Sequence, residues 1–200
     1  MISGVVLAAG GSSRLGRLKQ LLDLGGQPLL AHVLQNAIAS DLDEVVLVLG
    51  HEAARIANEV GEWGQRVVIN LNYAEGQSTS VRLGLSSIDP AAEAVLFLLG
   101  DQPHVGPEII NALIQRFRES GARIVQPVYG ATRGNPVLFA RELFPALAMI
   151  RGDKGARDLL QTHRAEIVTV PVSDGPPPLD IDTDDDYQQL LAAWRSERSP

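Results

Sequence analysis

A glycine-rich, basic segment follows the first apolar run of the chain, in the sequence VVLAAGGSSRLGRLKQLL (residues 5–22). Glycine lets backbone N–H groups approach an anion closely. Arg14 adds a planar guanidinium and Lys19 a compact ammonium, and no acidic residue precedes Asp23. The segment therefore predicts a loop that binds the phosphates of a nucleoside triphosphate. An ordinary Gly/Ser turn with solvated basic side chains is the alternative interpretation.

The spacing of this loop excludes two well-known glycine-rich motifs. A P-loop requires a lysine and then Ser or Thr after its last glycine, but Gly16 is followed by Arg17 and Leu18. The dinucleotide fingerprint G-x-G-x-x-G does not occur in the chain. A triphosphate loop here must therefore be of another type.

Carboxylates that follow two later apolar runs are candidate metal ligands. Asp101 lies in LFLLGDQP (residues 96–103) and Asp182 in LDIDTDDD (residues 179–186). Mg²⁺ prefers one or two carboxylates and completes its shell with substrate phosphates and water. For Asp101 the alternative is a turn cap. Asp180 and Asp182 lie on the same face of an extended segment, so spacing does not decide which of them binds.

A polar helix start is the third candidate for a binding element. Gln77, Ser78 and Ser80 follow a glycine in AEGQSTSVRLGL (residues 74–85). A helix N-terminus has free backbone N–H groups, and short polar side chains beside them can read the hydrogen-bonding edge of a base. The acidic residues after Asp182 are better explained as N-terminal caps of a last helix.

The elements that must position these residues alternate between strands and helices. Apolar residues at helical spacing predict helices from Pro28 to Ser40, from Pro107 to Gly121, and around Tyr187 to Trp194. This alternation predicts an α/β fold, a three-layer α/β/α sandwich with a Rossmann-like, mostly parallel sheet, whose ligands bind at the carboxyl ends of the strands. The predicted strands lie at residues 5–7, 45–49, 67–69, 95–99, 124–125, 137–139 and 167–170.

Composition limits the classes of function. With 200 residues and 45% hydrophobic content, we expect one domain over residues 1–200. The chain has no cysteine, which excludes disulfides and thiolate metal sites, and its net charge of -7 argues against nucleic-acid binding. No apolar stretch suits a signal peptide or a membrane span, so we expect a cytoplasmic protein without a membrane partner.

The pattern L-A-A-G-x-S-x-R-x-G-x-x-K, which begins at Leu7 and ends at Lys19, resembles the signature of the MobA-like nucleotidyltransferases. Within them the chain is most similar to the molybdenum cofactor cytidylyltransferases, with later motifs in the expected order. The resemblance implies the nucleotide-diphospho-sugar transferase fold and the transfer of CMP from CTP to the terminal phosphate of the molybdopterin cofactor, with release of pyrophosphate. Ala8, Ala9 and Gly10 resemble the CTP-using members, whereas guanylyltransferases carry Ala-Gly-Gly.

The same resemblance implies a role for each motif. Arg14, Lys19 and Asp101 would be catalytic, and Mg²⁺ would be bound by Asp101 and Asp182. The acceptor would be bound by residues of LFLLGDQP and of two further loops, RGNPVLF (133–139) and GDKGARDLL (152–160). These acceptor residues are Gln102, Arg133, Asn135, Lys154 and Arg157. The nucleotide-binding residues are Leu7, Ala8, Ala9, Gly10, Gly11, Ser12, Ser13, Arg14, Lys19, Gln77, Ser78, Ser80 and Asp101.

Three alternatives remain open. Lys154 and Asp158 have the i, i+4 spacing of a solvated ion pair on a helix, which competes with a role in acceptor binding. A related transferase would use another nucleotide such as GTP, or a sugar or polyol phosphate as acceptor. A non-catalytic chaperone would bind the cofactor and carry it to a recipient molybdoenzyme. If the protein is instead the cytidylyltransferase, we also expect a transient contact with that molybdoenzyme.

Overall fold

A computed structural model describes residues 1–11, 15–173, 177 and 180–197 of the chain. In these residues eight strands form one sheet, because β-branched and apolar runs recur along the chain. The strands are β1 (Ile2–Ala8), β2 (Glu44–Leu49), β3 (Arg66–Ile69), β4 (Ala94–Leu99), β5 (Ile124–Tyr129), β6 (Thr132–Arg133), β7 (Val137–Ala140) and β8 (Ile167–Ser173).

Helices cover both faces of this sheet. The Pro107 helix ends at Gly121, whose φ of 60° is the left-handed conformation of a C-terminal cap. The helices are α1 (Leu29–Ile38), α2 (Ala53–Val60), α3 (Gln77–Ser87), α4 (Pro107–Ser120), α5 (Phe144–Ala148), α6 (Arg157–Thr162) and α7 (Asp184–Glu197). None of the helices in the described part of the chain has the length and apolar composition needed to span a bilayer.

The centre of the sheet is parallel, as predicted. Strand β1 lies between β2 and β4, with Ala8 opposite Leu49 and Leu7 opposite Leu99. The three strands therefore end side by side, and the loops that follow them start at one edge of the sheet. Strand β3 pairs in parallel with β2, and β8 pairs in parallel with β5.

One strand inside the sheet is antiparallel to both of its neighbours, within the mostly parallel sheet that the sequence predicts. Strand β7 lies between β4 and β5 and is antiparallel to both. Residues 130–136 connect β5 to β7, and a parallel connection needs a crossover of about a dozen residues or more. The short connection therefore forces β7 to return antiparallel, and the sheet is mostly parallel, as predicted.

Alternating side chains divide the core into two layers. On β4, Leu96 and Leu98 join one buried cluster, which contains residues of α1, α2, α4 and α7. Val95 and Phe97 point to the other face and join a cluster that contains residues of α3 and α5. The structure therefore confirms the predicted three-layer α/β/α sandwich.

The last helix is fixed to the fold at its N-terminus. The backbone N–H of Thr183 donates to Oδ2 of Asp186 at 2.8 Å, and the backbone N–H of Asp186 donates to Oγ1 of Thr183 at 3.2 Å. This reciprocal cap confirms the predicted capping role and lowers the pKa of Asp186, first through the Thr183 hydroxyl. Tyr187 and Leu190 are buried against the core. The segment that carries Asp182 is therefore held beside the sheet.

Candidate active site

The loops after β1 and β4 meet at a cavity of about 470 Å³ at the carboxyl ends of the strands. Several of the residues singled out from the sequence line it, although they come from distant parts of the chain. These residues are Leu7, Ala8, Ala9, Gly10, Lys19, Gln77, Ser80, Asp101, Asn135, Lys154, Arg157 and Asp182.

Lys19 lies between the two candidate metal-binding carboxylates. Its ammonium donates to Oδ2 of Asp101 and lies 3.9 Å from Oδ1 of Asp182. Asp101 is only 7% exposed. Burial raises the pKa of Asp101, the ammonium of Lys19 opposes that rise, and the charge of Asp180 adds to it. Two carboxylates, Asp101 and Asp182, thus lie around the Lys19 ammonium.

Gln20, which the sequence analysis did not single out, fixes the backbone next to Lys19. It belongs to a 3-10 turn over Lys19–Leu21 and is 2% exposed. Its Nε2 donates to the backbone oxygens of Ala8 at 3.0 Å and Gly10 at 2.8 Å. The end of β1 is thereby tied to the turn that carries Lys19. In the sequence, the only indication that Gln20 binds the backbone is a polar residue directly before two leucines.

Asp180 and Asp182 have different surroundings, which bears on the choice that spacing left open. Nε2 of the buried Gln102 donates to Oδ1 of Asp180 at 2.9 Å. Asp182 faces Lys19, and its side chain is 39% exposed. Both carboxylates line the cavity, but Asp182 is the one that shares a cation with Asp101.

The start of α3 forms another wall of the cavity, and a buried amide orients it. Asn70 donates through Nδ2 to Oγ1 of Thr79 at 2.8 Å and to Oγ of Ser80 at 2.9 Å. The backbone N–H of Asn72 donates to Oδ1 of Asn70, which fixes the orientation of the amide. Ser80 thus accepts from Asn70, and its own hydroxyl hydrogen remains for an acceptor in the cavity. Neither Asn70 nor the cavity-lining Tyr73 was predicted from the sequence.

A glycine allows α3 to approach the loop that carries Lys154. Gly76 has a φ of 111°, and a Cβ on it would lie 2.7 Å from the backbone of Gly152. The backbone N–H of Ser78 donates to the Gly152 oxygen at 3.1 Å, and that of Gln77 to Oδ1 of Asp153 at 3.1 Å. The helix start and the 152–157 loop therefore form a continuous rim of the cavity.

The remaining predicted residues lie elsewhere. Ser78 is buried, and neither it nor Gln102 is among the residues that line the cavity. Arg133 is exposed outside it and donates to the backbone oxygen of Arg164 at 3.4 Å. Gly11 lines a neighbouring cavity of about 550 Å³. The predicted residues Ser12, Ser13 and Arg14 lie outside the described part of the chain.

On the 152–157 loop, Lys154 lies 3.6 Å from Asp158, and both side chains are largely exposed. The solvated ion pair that the spacing allowed is therefore present, on a residue that also lines the cavity.

The carboxylate oxygens at the site suit a hard divalent cation that takes only a few of its ligands from the protein. Asp101 and Asp182 supply oxygen ligands from two different loops and already face one positive group, the Lys19 ammonium. Among the described residues no group of three or more Asp, Glu or His side chains forms a metal cluster. Mg²⁺ commonly binds one or two protein carboxylates, and substrate phosphates and water complete its coordination shell.

A family model described as the MobA-like NTP transferase domain matches residues 4–167. The chain belongs to this family. The match includes the glycine loop, Lys19 and Asp101, and it ends before Asp182 and α7. This MobA-like chain is therefore a nucleotidyltransferase, and the cavity at its strand ends is the candidate active site.

Relatives of this MobA-like chain span nearly its full length. It is 32% identical to purine catabolism protein PucB of Bacillus subtilis (strain 168), over 95% of this chain and 96% of the relative. It is 30% identical to nicotine blue oxidoreductase of Paenarthrobacter nicotinovorans, with the same coverage. Rv0371c of Mycobacterium tuberculosis H37Rv, in a crystal structure of its complex with manganese, is 33% identical, with a TM-score of 0.80 over 96% of this chain and 97% of that chain.

Proposed function

We propose that this MobA-like protein transfers CMP from CTP to the terminal phosphate of the molybdopterin cofactor and releases pyrophosphate. The observation that carries the proposal is the meeting of Lys19, Asp101 and Asp182 beside the glycine loop, in a cavity lined by several of the other residues of the family pattern. We assign the reaction to this cavity.

In the proposed reaction a phosphate oxygen of the acceptor attacks the α-phosphorus of CTP. A new P–O bond forms, and the bond from the α-phosphorus to the bridging oxygen breaks, so that pyrophosphate leaves with the electron pair. A phosphate monoester is nucleophilic at neutral pH, and no general base is assigned. Lys19 and the backbone N–H groups of the glycine loop hold the triphosphate in line, which lowers the entropic cost of the encounter. We assign Arg14 to the same triphosphate.

Asp101 and Asp182 are the residues that would hold a divalent metal, which we propose to be Mg²⁺. When bound, such an ion neutralises phosphate charge and polarises the α-phosphorus. The manganese complex of the mycobacterial relative supports a divalent-metal site in the family. Asp180, which accepts a hydrogen bond from Gln102, increases the negative charge that attracts the ion.

The preference for a pyrimidine rests on the wall of the cavity. Ala9 is 6% exposed at the end of β1 and lines the cavity, where its methyl narrows the space for a bicyclic base. A single methyl is typically worth about 1 to 3 kcal/mol in discrimination. The Ser80 hydroxyl, oriented by Asn70, presents a donor that suits the O2 or N3 acceptor of cytosine. The Ala9 methyl supports CTP over GTP, and a Ser80 donor at N3 supports CTP over UTP, because N3 of uracil carries a hydrogen.

For the acceptor we assign Asn135, Lys154 and Arg157, which line the same cavity. The positive charges of Lys154 and Arg157 offset the repulsion between the two phosphorylated substrates, and the Asn135 amide can donate hydrogen bonds. Arg133 and Gln102 stay predictions of the family resemblance.

The proposal is tested by pyrophosphate release with each of CTP, GTP, ATP and UTP, with Mg²⁺ and molybdopterin present. We expect release with CTP, and none with CTP when the acceptor is omitted. Release with GTP instead, or with sugar and polyol phosphates as acceptors, would assign the protein to a related transferase. CTP binding by calorimetry without any turnover would assign it to a cofactor chaperone.

One relative is named an oxidoreductase, so the same preparation is assayed for oxidation of NADH and NADPH with quinone-type dyes. We expect no reduction of the dye, because the assigned residues stabilise phosphate charge and the family is that of NTP transferases. Dye reduction that survives Asp101→Asn would show a second activity that does not use this site.

A further inference from the structure

The Lys19 ammonium lies where a metal ion would have to lie to contact both candidate ligands, Asp101 and Asp182. It is hydrogen-bonded to Oδ2 of Asp101 and lies 3.9 Å from Oδ1 of Asp182. The side chains of Lys19 and Asp101 are 21% and 9% exposed, so solvent weakens this interaction only in part. The two carboxylates are therefore held toward each other by a cation that belongs to the chain itself.

A divalent ion and this ammonium compete for the same place. Mg²⁺ binds carboxylate oxygens at about 2.0 to 2.1 Å, and Oδ2 of Asp101 is already the acceptor of the Lys19 ammonium. Two cations on one carboxylate repel each other, and Asp101 lies in a mostly buried environment where that repulsion is little screened. Metal binding to the protein alone must therefore displace Lys19 or lose much of its affinity.

A nucleoside triphosphate offers Lys19 another partner. Lys19 and Gly10 line the same cavity, so phosphates bound by the glycine loop would lie within the reach of the Lys19 side chain. When the ammonium moves to the phosphates, Asp101 and Asp182 become available to the metal. This step rests on the function proposed above, because it requires that the ligand of the loop be a triphosphate.

We propose that Lys19 is a resident cation that blocks the metal site of the nucleotide-free protein and is exchanged for the divalent ion when the nucleotide binds. Metal and nucleotide then bind with positive coupling, and neither carboxylate is left uncompensated at any stage. By linkage, the nucleotide raises the metal affinity by the same factor by which the metal raises that of the nucleotide.

The test measures Mn²⁺ binding to the nucleotide-free protein by electron paramagnetic resonance of free Mn²⁺, at one pH and one ionic strength. Lys19→Met should bind Mn²⁺ at least about tenfold more tightly than the wild type, because a unit charge in contact with the ligand is removed. The same variant should bind CTP more weakly. Opposite changes in the two affinities distinguish exchange from general damage to the site.

Arg17→Met is the matched control for net charge. Arg17 lies on the same segment, but its guanidinium pairs with Asp184 and stacks over Tyr187, away from Asp101. Its substitution should change Mn²⁺ affinity less than threefold. Adding Asp182→Asn to Lys19→Met should abolish the gain, since one of the two ligands is lost.

Lys19→Arg keeps the charge and serves where Lys19→Met fails to fold by circular dichroism. It should bind Mn²⁺ as weakly as the wild type. The proposal is overturned if folded Lys19→Met binds Mn²⁺ no more tightly than the wild type, or if Lys19→Arg binds it tenfold more tightly. The Mn²⁺ measurement needs no turnover, so failure of the proposed CMP transfer would leave it unaffected.

Discussion

Gly84 on α3 determines how closely the base wall of the cavity approaches the sheet. A Cβ at this position would lie 2.4 Å from Cγ1 of Val5 and 3.2 Å from Cγ2 of Val48. Both valines are fully buried on β1 and β2, so neither can move into free space. Gly84→Ala must therefore push α3 away from the sheet.

The size of the effect follows from these distances. Carbon atoms pack at about 3.5 to 4.0 Å, so the helix or Val5 must shift by roughly 1 Å. Overpacking of a core costs about 1 to 3 kcal/mol, and the better helix propensity of Ala returns up to about 1 kcal/mol. We expect a net destabilisation of about 1 to 2 kcal/mol and a Tm lower by roughly 2 to 8 °C for a chain of this length.

Activity should fall further than stability does. Ser80 lies one turn before Gly84, so a shift of α3 moves the hydroxyl that we assign to the base. A misplacement of about 1 Å in a binding group can cost about a hundredfold in kcat/KM. The assay is CTP-dependent pyrophosphate release well below the Tm of the variant.

Ser86→Ala is the control for this substitution, because Ser86 is exposed on the same helix and donates only to the Leu83 backbone oxygen at 2.9 Å. It should keep the Tm within about 2 °C and leave kcat/KM unchanged. If Gly84→Ala matches the wild type in both Tm and kcat/KM, the close packing of α3 on β1 is refuted.

Four further substitutions address the charged and polar residues in and near the site. Asp101→Asn should abolish turnover yet raise the Tm at neutral pH: burial raises the folded-state pKa of Asp101, so its contribution to stability is complete at acid pH and is lost as the pH rises through that pKa. A lower Tm at pH 7 would contradict this sign. Asn70→Ala removes the buried amide partner of Thr79 and Ser80 and should cost about 2 kcal/mol by thermal unfolding. It should also narrow the difference in kcat/KM between CTP and UTP, and unchanged selectivity would remove Ser80 from the base wall. Arg157→Ala should raise the KM for the acceptor and not for CTP, whereas Arg133→Ala has this effect only if the acceptor extends beyond the cavity.

The regular elements were predictable because their patterns are local. The apolar run at 95–99 became β4 with one residue added, and the helix from Pro107 ended at the predicted glycine cap. The direction of β7 was not predictable from its own residues. It follows from the length of the connection to β5, which the sequence analysis did not weigh.

The site was predictable where its residues directly follow strands. Lys19 and Asp101 were expected to be near each other because both lie shortly after predicted strands, and the structure brings their side chains into contact. Gln20 and Asn70 were missed for a physical reason: each acts through hydrogen bonds to backbone or side-chain atoms that only the folded chain brings close. A lone amide residue carries no periodic signal of such contacts.

The central claim is that the glycine loop and the carboxylates Asp101 and Asp182 hold one metal-bound nucleotide. The most direct test is a crystal structure of the protein with Mn²⁺ and a non-hydrolysable CTP analogue, in which anomalous scattering locates the metal. We expect one peak within coordination distance of both carboxylates and of the α-phosphate, with Lys19 turned to the phosphates. A peak away from Asp101, or phosphates bound outside the cavity, would contradict it.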